Sequence, residues 1–139
     1  MPCQYAILRD GQVVVECWTG LLTHDELLAH KNRQKDNPAI KAHASVLSDC
    51  RQAAVEISMD AIDQLAQFDA ESEGPAAVAR YAFLVTPDLY AKVQRFADRV
   101  AEYDKSVHIF NRLDAACRWL GLEPSEIEAL IGGFHGQIP

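Results

Sequence analysis

Asp49, Cys50 and Arg51 end an apolar run and are the strongest chemical candidates in this chain. A guanidinium beside a thiol lowers the thiol's pKa and favours the nucleophilic thiolate. An aspartate two residues before an arginine offers either a catalytic carboxylate or a loop-fixing ion pair. No base is placed to complete a nucleophilic set with Cys50, and there is no Gly-x-Ser-x-Gly elbow. The thiol is therefore expected to be structural and the acid–arginine pair to fix a loop. Ser58 stands where a helix should begin, a position that suits a phosphate because free N–H groups and the helix dipole favour negative charge. The simpler role of a serine there is to cap the helix, and that is the expected one. Thr86, followed by Pro87, opens another helix in the same way.

Metal and phosphate chemistry find less support. Glu26 and His30 are four residues apart and share a helix face, but no third ligand is visible, and His24 points to another side. His43, His108 and His135 are isolated, so no metal is expected. Neither a Gly-x-Gly-x-x-Gly nor a Gly-x-x-x-x-Gly-Lys-Ser/Thr loop is present, and Gly132-Gly133 follows a helix where an anion cradle would open one. The sequence predicts no catalytic residues and no cofactor.

The bulk composition agrees with a single soluble unit: 139 residues, 49% hydrophobic and 24% charged. A net charge of -7 argues against a general nucleic-acid binder, which needs a basic face. Lys31, Arg33, Lys35 and Lys41 cluster, and are expected to form a solvated helix face. Cys3, Cys17, Cys50 and Cys117 are scattered, which predicts reduced thiols and a cytoplasmic protein. The first residues lack the pattern of a signal peptide, and no apolar stretch approaches the ~20 residues of a membrane span.

The elements that position these groups follow from periodicity. Gln4 to Leu8 and Gln12 to Thr19 are apolar runs joined at Asp10-Gly11, a hairpin signal. Thr23 begins a helix with capping-box spacing to Glu26; it is mostly polar, is expected to sit exposed, and ends at Asn37-Pro38. Ala44 to Cys50 is the third strand. The helix after Ser58 should bury Ile62, Leu65, Ala66 and either Phe68 or Asp69. Ser72-Glu73-Gly74-Pro75 reads as a loop, and the most mobile one. Arg80 to Val85 is the fourth strand, and the next helix should bury Leu89, Val93, Phe96 and Val100. Val107 to Phe110 is the fifth strand, capped by Asn111 into a helix that Gly121 ends, with His108 on the less buried sheet face. Pro124-Ser125-Glu126 starts a short last helix, and Gly132 to Gly136 reads as a flexible tail.

Strands alternating with helices form a parallel sheet through right-handed crossovers. Functional groups in such sheets gather beyond the carboxyl ends of the strands, here Thr19, Gly20, Asp49, Cys50, Arg51, Thr86, Asn111 and Arg112. The pattern differs from a two-component receiver domain, which needs an acidic pair after the first strand and a lysine after the fifth; Asp10 sits in the hairpin, and Ile109-Phe110-Asn111-Arg112 has no lysine.

The order of elements, with Ser45-Val46-Leu47-Ser48-Asp49-Cys50-Arg51, Ala82-Phe83-Leu84-Val85-Thr86, and His108-Ile109-Phe110 leading into Ala115-Ala116-Cys117-Arg118-Trp119-Leu120, resembles the SpoIIAA-like group of STAS domains. The resemblance covers residues 4 to 122. It implies an α/β SpoIIAA-like superhelix: a five-stranded, mixed but mostly parallel sheet with an N-terminal hairpin strand, flanked by four main helices. Residues 1–122 would form one domain, and 123–139 a short helix and Gly-rich tail. The resemblance further implies a non-enzymatic module that works through a protein partner or as a homodimer, with the helices after the second and third strands as contact surface. The alternative is a carrier of a small apolar or lipid-like ligand, since the same fold type is shared with Sec14-like lipid carriers. The aromatic richness of Phe68, Tyr81, Phe83, Tyr90, Phe96 and Tyr103 points that way, although the same residues could simply fill a core. Asp49, Arg51, Ser58 and Thr86 are the candidate binding residues. In sigma-regulating STAS members a serine at the place of Ser58 accepts a phosphoryl group, but Ile57-Ser58-Met59-Asp60 lacks the preceding acid and following glycine of that motif.

Overall fold

The hairpin is set by three consecutive residues in the left-handed region: Arg9 (φ 51°), Asp10 (φ 56°) and Gly11 (φ 89°). A Cβ on Gly11 would come within 2.2 Å of the Ala39 carbonyl oxygen, so only glycine fits. Gly11 and Gln12 then accept backbone bonds from Lys41 and Ser45, which ties the turn to the start of the third strand. The computed structural model describes residues 3–71, 80–103 and 105–136. The expected loop at Ser72 to Pro75 lies outside the described residues.

Strand β1 (Cys3–Leu8) runs antiparallel to β2 (Val13–Leu22), from Cys3 opposite Trp18 to Leu8 opposite Val13. The strands β3 (Ser45–Val55), β4 (Arg80–Leu84) and β5 (Ser106–Phe110) continue the sheet in parallel, in the order β1-β2-β3-β4-β5. This is the mixed, mostly parallel five-stranded sheet that the sequence predicts. β2 and β3 extend beyond the expected ends at Thr19 and Cys50. Thr19 to Leu22 pairs with Gln52 to Val55 as a ribbon past a bulge that sets Cys50 and Arg51 opposite Trp18; β3 is largely solvent-exposed there, and two alanines carry little strand signal.

Right-handed crossovers in one direction place α1 (His24–Lys35), α2 (Met59–Glu71) and α3 (Pro87–Ala101) on one face of the sheet. Ile62, Leu65, Phe96 and Val100 pack there against Val14, Val46 and Tyr81. On the other face, α4 (Leu113–Leu120) and α5 (Pro124–Gly136) cover Val13, Val15, Leu47 and Ala82. Neighbouring strand residues therefore serve opposite cores, and a sheet buried on both faces explains the nearly unbroken apolar runs. The α2 face resolves in favour of Asp69, which is buried, while Phe68 is half-buried. On α3, Leu89, Phe96 and Val100 are buried and Val93 partly so.

Three local expectations differ from the structure. Polar α1 is not simply exposed: it buries His30 and Gln34, and Lys31, expected on a solvated basic face, turns inward to pair with Asp69 while Arg33 and Lys35 stay exposed. The α4 N-cap is Arg112 in place of Asn111, with no side-chain capping bond; its guanidinium grips Asp114 in a fork at 3.1 and 3.0 Å. Gly132 to Gly136 continue α5 instead of forming a loose tail. Ile127, Ile131 and Phe134 recur at helical spacing and bury in the core with Val13 and Cys17, which outweighs a glycine penalty of about 1 kcal/mol per residue. No helix among the described residues is long and apolar enough to cross a membrane.

Candidate functional site: an apolar cavity with a buried ion pair

A cavity of about 100 Å³ lies between the sheet and the helices α1, α2 and α3. The sheet supplies Glu16, Trp18, Ser48, Cys50, Tyr81 and Phe83; α1 supplies Leu27, His30, Lys31 and Gln34; α3 supplies Leu89, Lys92, Val93 and Phe96. Strand pleating explains the sheet's part. Glu16, Ser48 and Phe83 are register partners across β2, β3 and β4, and so stand side by side on one face. On α1 the spacing of Leu27, His30, Lys31 and Gln34 makes one helical stripe that turns toward them. Tyr81 and Phe83 stack at 5.3 Å, and Phe96 meets Phe83 edge-on at 5.7 Å, so the aromatic wall is interlocked.

The polar end of the cavity is built from groups that rarely go inside. Glu16 and His30 are 5% and 2% exposed, and Nε2 of His30 lies 2.6 Å from Oε2 of Glu16. The Gln34 amide donates to the same oxygen at 3.4 Å. Burial pushes the Glu16 carboxyl up, but the charge and hydrogen bond of His30, with a further bond from Ser48, hold it below the ordinary carboxylate value. The His30 ring is held edge-on by Trp18 (4.7 Å) and Tyr5 (5.7 Å), and its Nδ1 has no hydrogen-bond partner among the described residues. Cys3 joins this group from β1, with Sγ 4.0 Å from His30 Nε2. The ligand atoms of Cys3, Glu16 and His30 all fall within 4.8 Å of one another.

A second buried cluster adjoins it. The Asp69 carboxylate accepts hydrogen bonds from Lys31 Nζ (2.9 Å) and the Tyr81 hydroxyl (2.8 Å), while Lys105 Nζ donates to the Asp69 backbone carbonyl and lies 3.8 Å from the other carboxylate oxygen. Lys31 also lies 5.1 Å from the Phe96 ring centroid, a cation–π contact. Lys92 donates to the Val55 carbonyl, which joins α3 to the end of β3 across the cavity.

The residues singled out from the sequence are placed elsewhere. Asp49 is buried on the opposite sheet face, and its carboxylate accepts from Arg51 Nε and Nη2 at 3.0 Å each and from the Arg51 backbone N–H at 3.1 Å. The pair lies within β3, beside the bulge opposite Trp18, and clamps the strand there in place of the loop the sequence suggests. Arg51 also lines a cleft with Asn111, Arg112 and Asp114. Thr86 lines a different groove, with Tyr90 and Phe110. Ser58 is exposed and its hydroxyl accepts from the Ala61 N–H at 3.1 Å, a capping bond. The four are not brought into one site. Of the aromatic set, Tyr81, Phe83 and Phe96 line the cavity, while Tyr90 and Tyr103 are 52% and 46% exposed.

Cys50 lines the cavity, but Arg51 leaves it to bond Asp49. Burial, only partly offset by the Ser48 hydrogen bond, pushes the Cys50 thiol up to about 12. At about pH 8 the thiol stays protonated, and iodoacetamide is expected to leave Cys50 unmodified in the folded chain but label it in urea. Peptide mapping checks this, and rapid labelling of native Cys50 would contradict the buried geometry.

The sequence reading misses Glu16 and pairs His30 with the wrong glutamate. The signal for Glu16 is a charged residue in the middle of the apolar run Val13 to Trp18, where an unpaired carboxylate is costly and a partner must exist. The partner is fourteen residues away in sequence, on the helix that crosses over the strand.

No protein-family model matches the chain, and no curated protein matches it. Among solved structures, the chain is similar to an uncharacterized protein from the DUF3478 family with a SpoIIAA-like fold from Shewanella loihica PV-4. The two superpose with a TM-score of 0.54 at 19% identity, over 85% of this chain and 93% of that one. The superposition over most of both chains shows that this chain, with its hairpin strand and parallel crossovers, has a SpoIIAA-like fold.

Proposed function

We propose that this chain is a non-enzymatic binding module of the STAS kind whose cavity under α1 takes a small, mostly apolar ligand. The observation that carries this reading is the cavity itself. Protein interiors leave few voids larger than a water molecule. An apolar hollow of about 100 Å³ leaves the aromatic and aliphatic side chains that line it without packing partners on one side. A ligand with an apolar body supplies those partners, and the Glu16–His30 end gives it a polar group to orient against. The volume fits a small molecule or the end of an acyl chain. Asp49, Arg51 and Ser58 take structural parts in this account, as clamp and cap.

A second reading, docking of a partner protein or a second copy, is favoured by exposed Tyr90 beside the groove at Thr86 and Phe110. Native mass spectrometry of gently purified full-length chain separates the two. A small non-covalent adduct that is lost on denaturation is the expected result. A clean apo mass, as monomer or dimer, would contradict the ligand reading and leave the partner surface as the function.

A further inference from the structure

We propose that Cys3, Glu16 and His30 form a binding site for a single divalent transition metal of the zinc class. The three come from separate elements, β1, β2 and α1, and each is at most 5% exposed. They converge with one sulfur, one oxygen and one nitrogen donor within 4.8 Å. That mixed donor set suits a borderline-soft ion such as zinc and does not suit magnesium or calcium, which prefer oxygen alone.

The distances lie close to what coordination needs. Donor atoms on a tetrahedral zinc stand roughly 3.3–3.6 Å apart, from bond lengths of about 2.0–2.3 Å. Nε2 and Oε2 at 2.6 Å must part a little, and Sγ and Nε2 at 4.0 Å must close a little. Both of these changes are below about 1 Å, within reach of side-chain rotation, and the Cys3 sulfur and Glu16 carboxylate stand within 4.8 Å of each other. On binding, the Cys3 thiol gives its proton to solvent, and so does any proton shared between His30 and Glu16. Thiolate and carboxylate then neutralise the dication, so the filled site carries no net charge into the interior. Burial and the neighbouring Glu16 carboxylate raise the Cys3 thiol strongly without metal, and a dication reverses both influences.

The simpler account is a buried ion pair with Cys3 as a small apolar neighbour. Such a pair is commonly no more stable than apolar residues of equal volume, so stability alone does not account for placing it here. Three donors leave a fourth position, and Glu16 and His30 both line the cavity. That position can be filled by water or by a donor atom of a small molecule. The site does not depend on the ligand reading, because it is tested with metal alone.

Cobalt(II) is the probe, added to chelator-treated full-length chain. The expected result is one equivalent bound, with visible ligand-field bands and a thiolate-to-cobalt charge-transfer band in the near-ultraviolet. Cys3→Ser should abolish the charge-transfer band and weaken binding at least about tenfold. Cys117→Ser, on the other face of the sheet, should leave both unchanged. Glu16→Gln keeps the side-chain shape and should also weaken binding, which covers the case in which Cys3→Ser fails to fold. Absence of a stoichiometric cobalt spectrum in the wild-type chain, or a charge-transfer band that survives in folded Cys3→Ser, would overturn the site.

Discussion

Asp69→Ala is expected to destabilise the chain by about 3–5 kcal/mol, the range for removing one partner of a buried charge cluster. Asp69 sits on α2 but holds three other elements. Lys31 comes from α1, Tyr81 from β4, and Lys105 from the residue before β5. The two lysine side chains are only 14% and 11% exposed; Lys31 loses its acceptor outright, and Lys105 keeps its bond to the backbone carbonyl of residue 69 but loses the neutralising charge. Burial already lowers the Lys105 pKa, and Asp69 is the charge that opposes this. The Tyr81 hydroxyl would be left buried without its acceptor. Asp69→Asn, which keeps the shape and one acceptor oxygen, should lose clearly less. Urea denaturation reads both, and an Asp69→Ala midpoint equal to wild type would show that the cluster holds nothing together.

The second large effect separates function from stability at the cavity. Glu16→Ala alone should cost about 3–5 kcal/mol, since it leaves His30 buried against an apolar gap. Replacing both partners, Glu16→Leu with His30→Leu, should recover most of that loss and can exceed wild-type stability, by about 1–4 kcal/mol in comparable replacements. The two positions touch at 2.6 Å, so their effects are strongly non-additive. If the double variant is as unstable as Glu16→Ala, the pair is there for the fold. If it is stable, the charged pair has been retained for what it binds.

The sequence makes the frame of this protein legible and hides its site, and the reason is the range over which each is determined. The hairpin follows from Asp10-Gly11, the third helix from Thr86-Pro87 and its apolar stripe, and the end of α4 from Gly121, which takes a left-handed φ of 73°. Each is decided by neighbours within a few residues. α1 is different. Its polarity argues for an exposed helix, yet His30 and Gln34 are buried because their partner, Glu16, waits on the sheet below. Helical spacing alone relates His30 to Glu26, and only the crossover between β2 and β3 brings it to Glu16. α5 errs the other way. Two glycines in Gly132-Gly133 read as a loose tail, but Phe134 falls on the stripe of Ile127 and Ile131, and packing decides. Asp49-x-Arg51 was conspicuous in sequence because both residues are polar at a strand end, and that same closeness lets them satisfy each other.

The most direct test of ligand binding in the cavity compares wild type with Val93→Phe by native mass spectrometry of the full-length chains. Val93 is partly buried on α3 and lines the cavity, so a phenyl ring there takes up its space while Glu16 and His30 keep their own side chains. The account predicts a small adduct on the wild type that is absent from folded Val93→Phe. An adduct of equal occupancy on both chains, or none on the wild type, would contradict it.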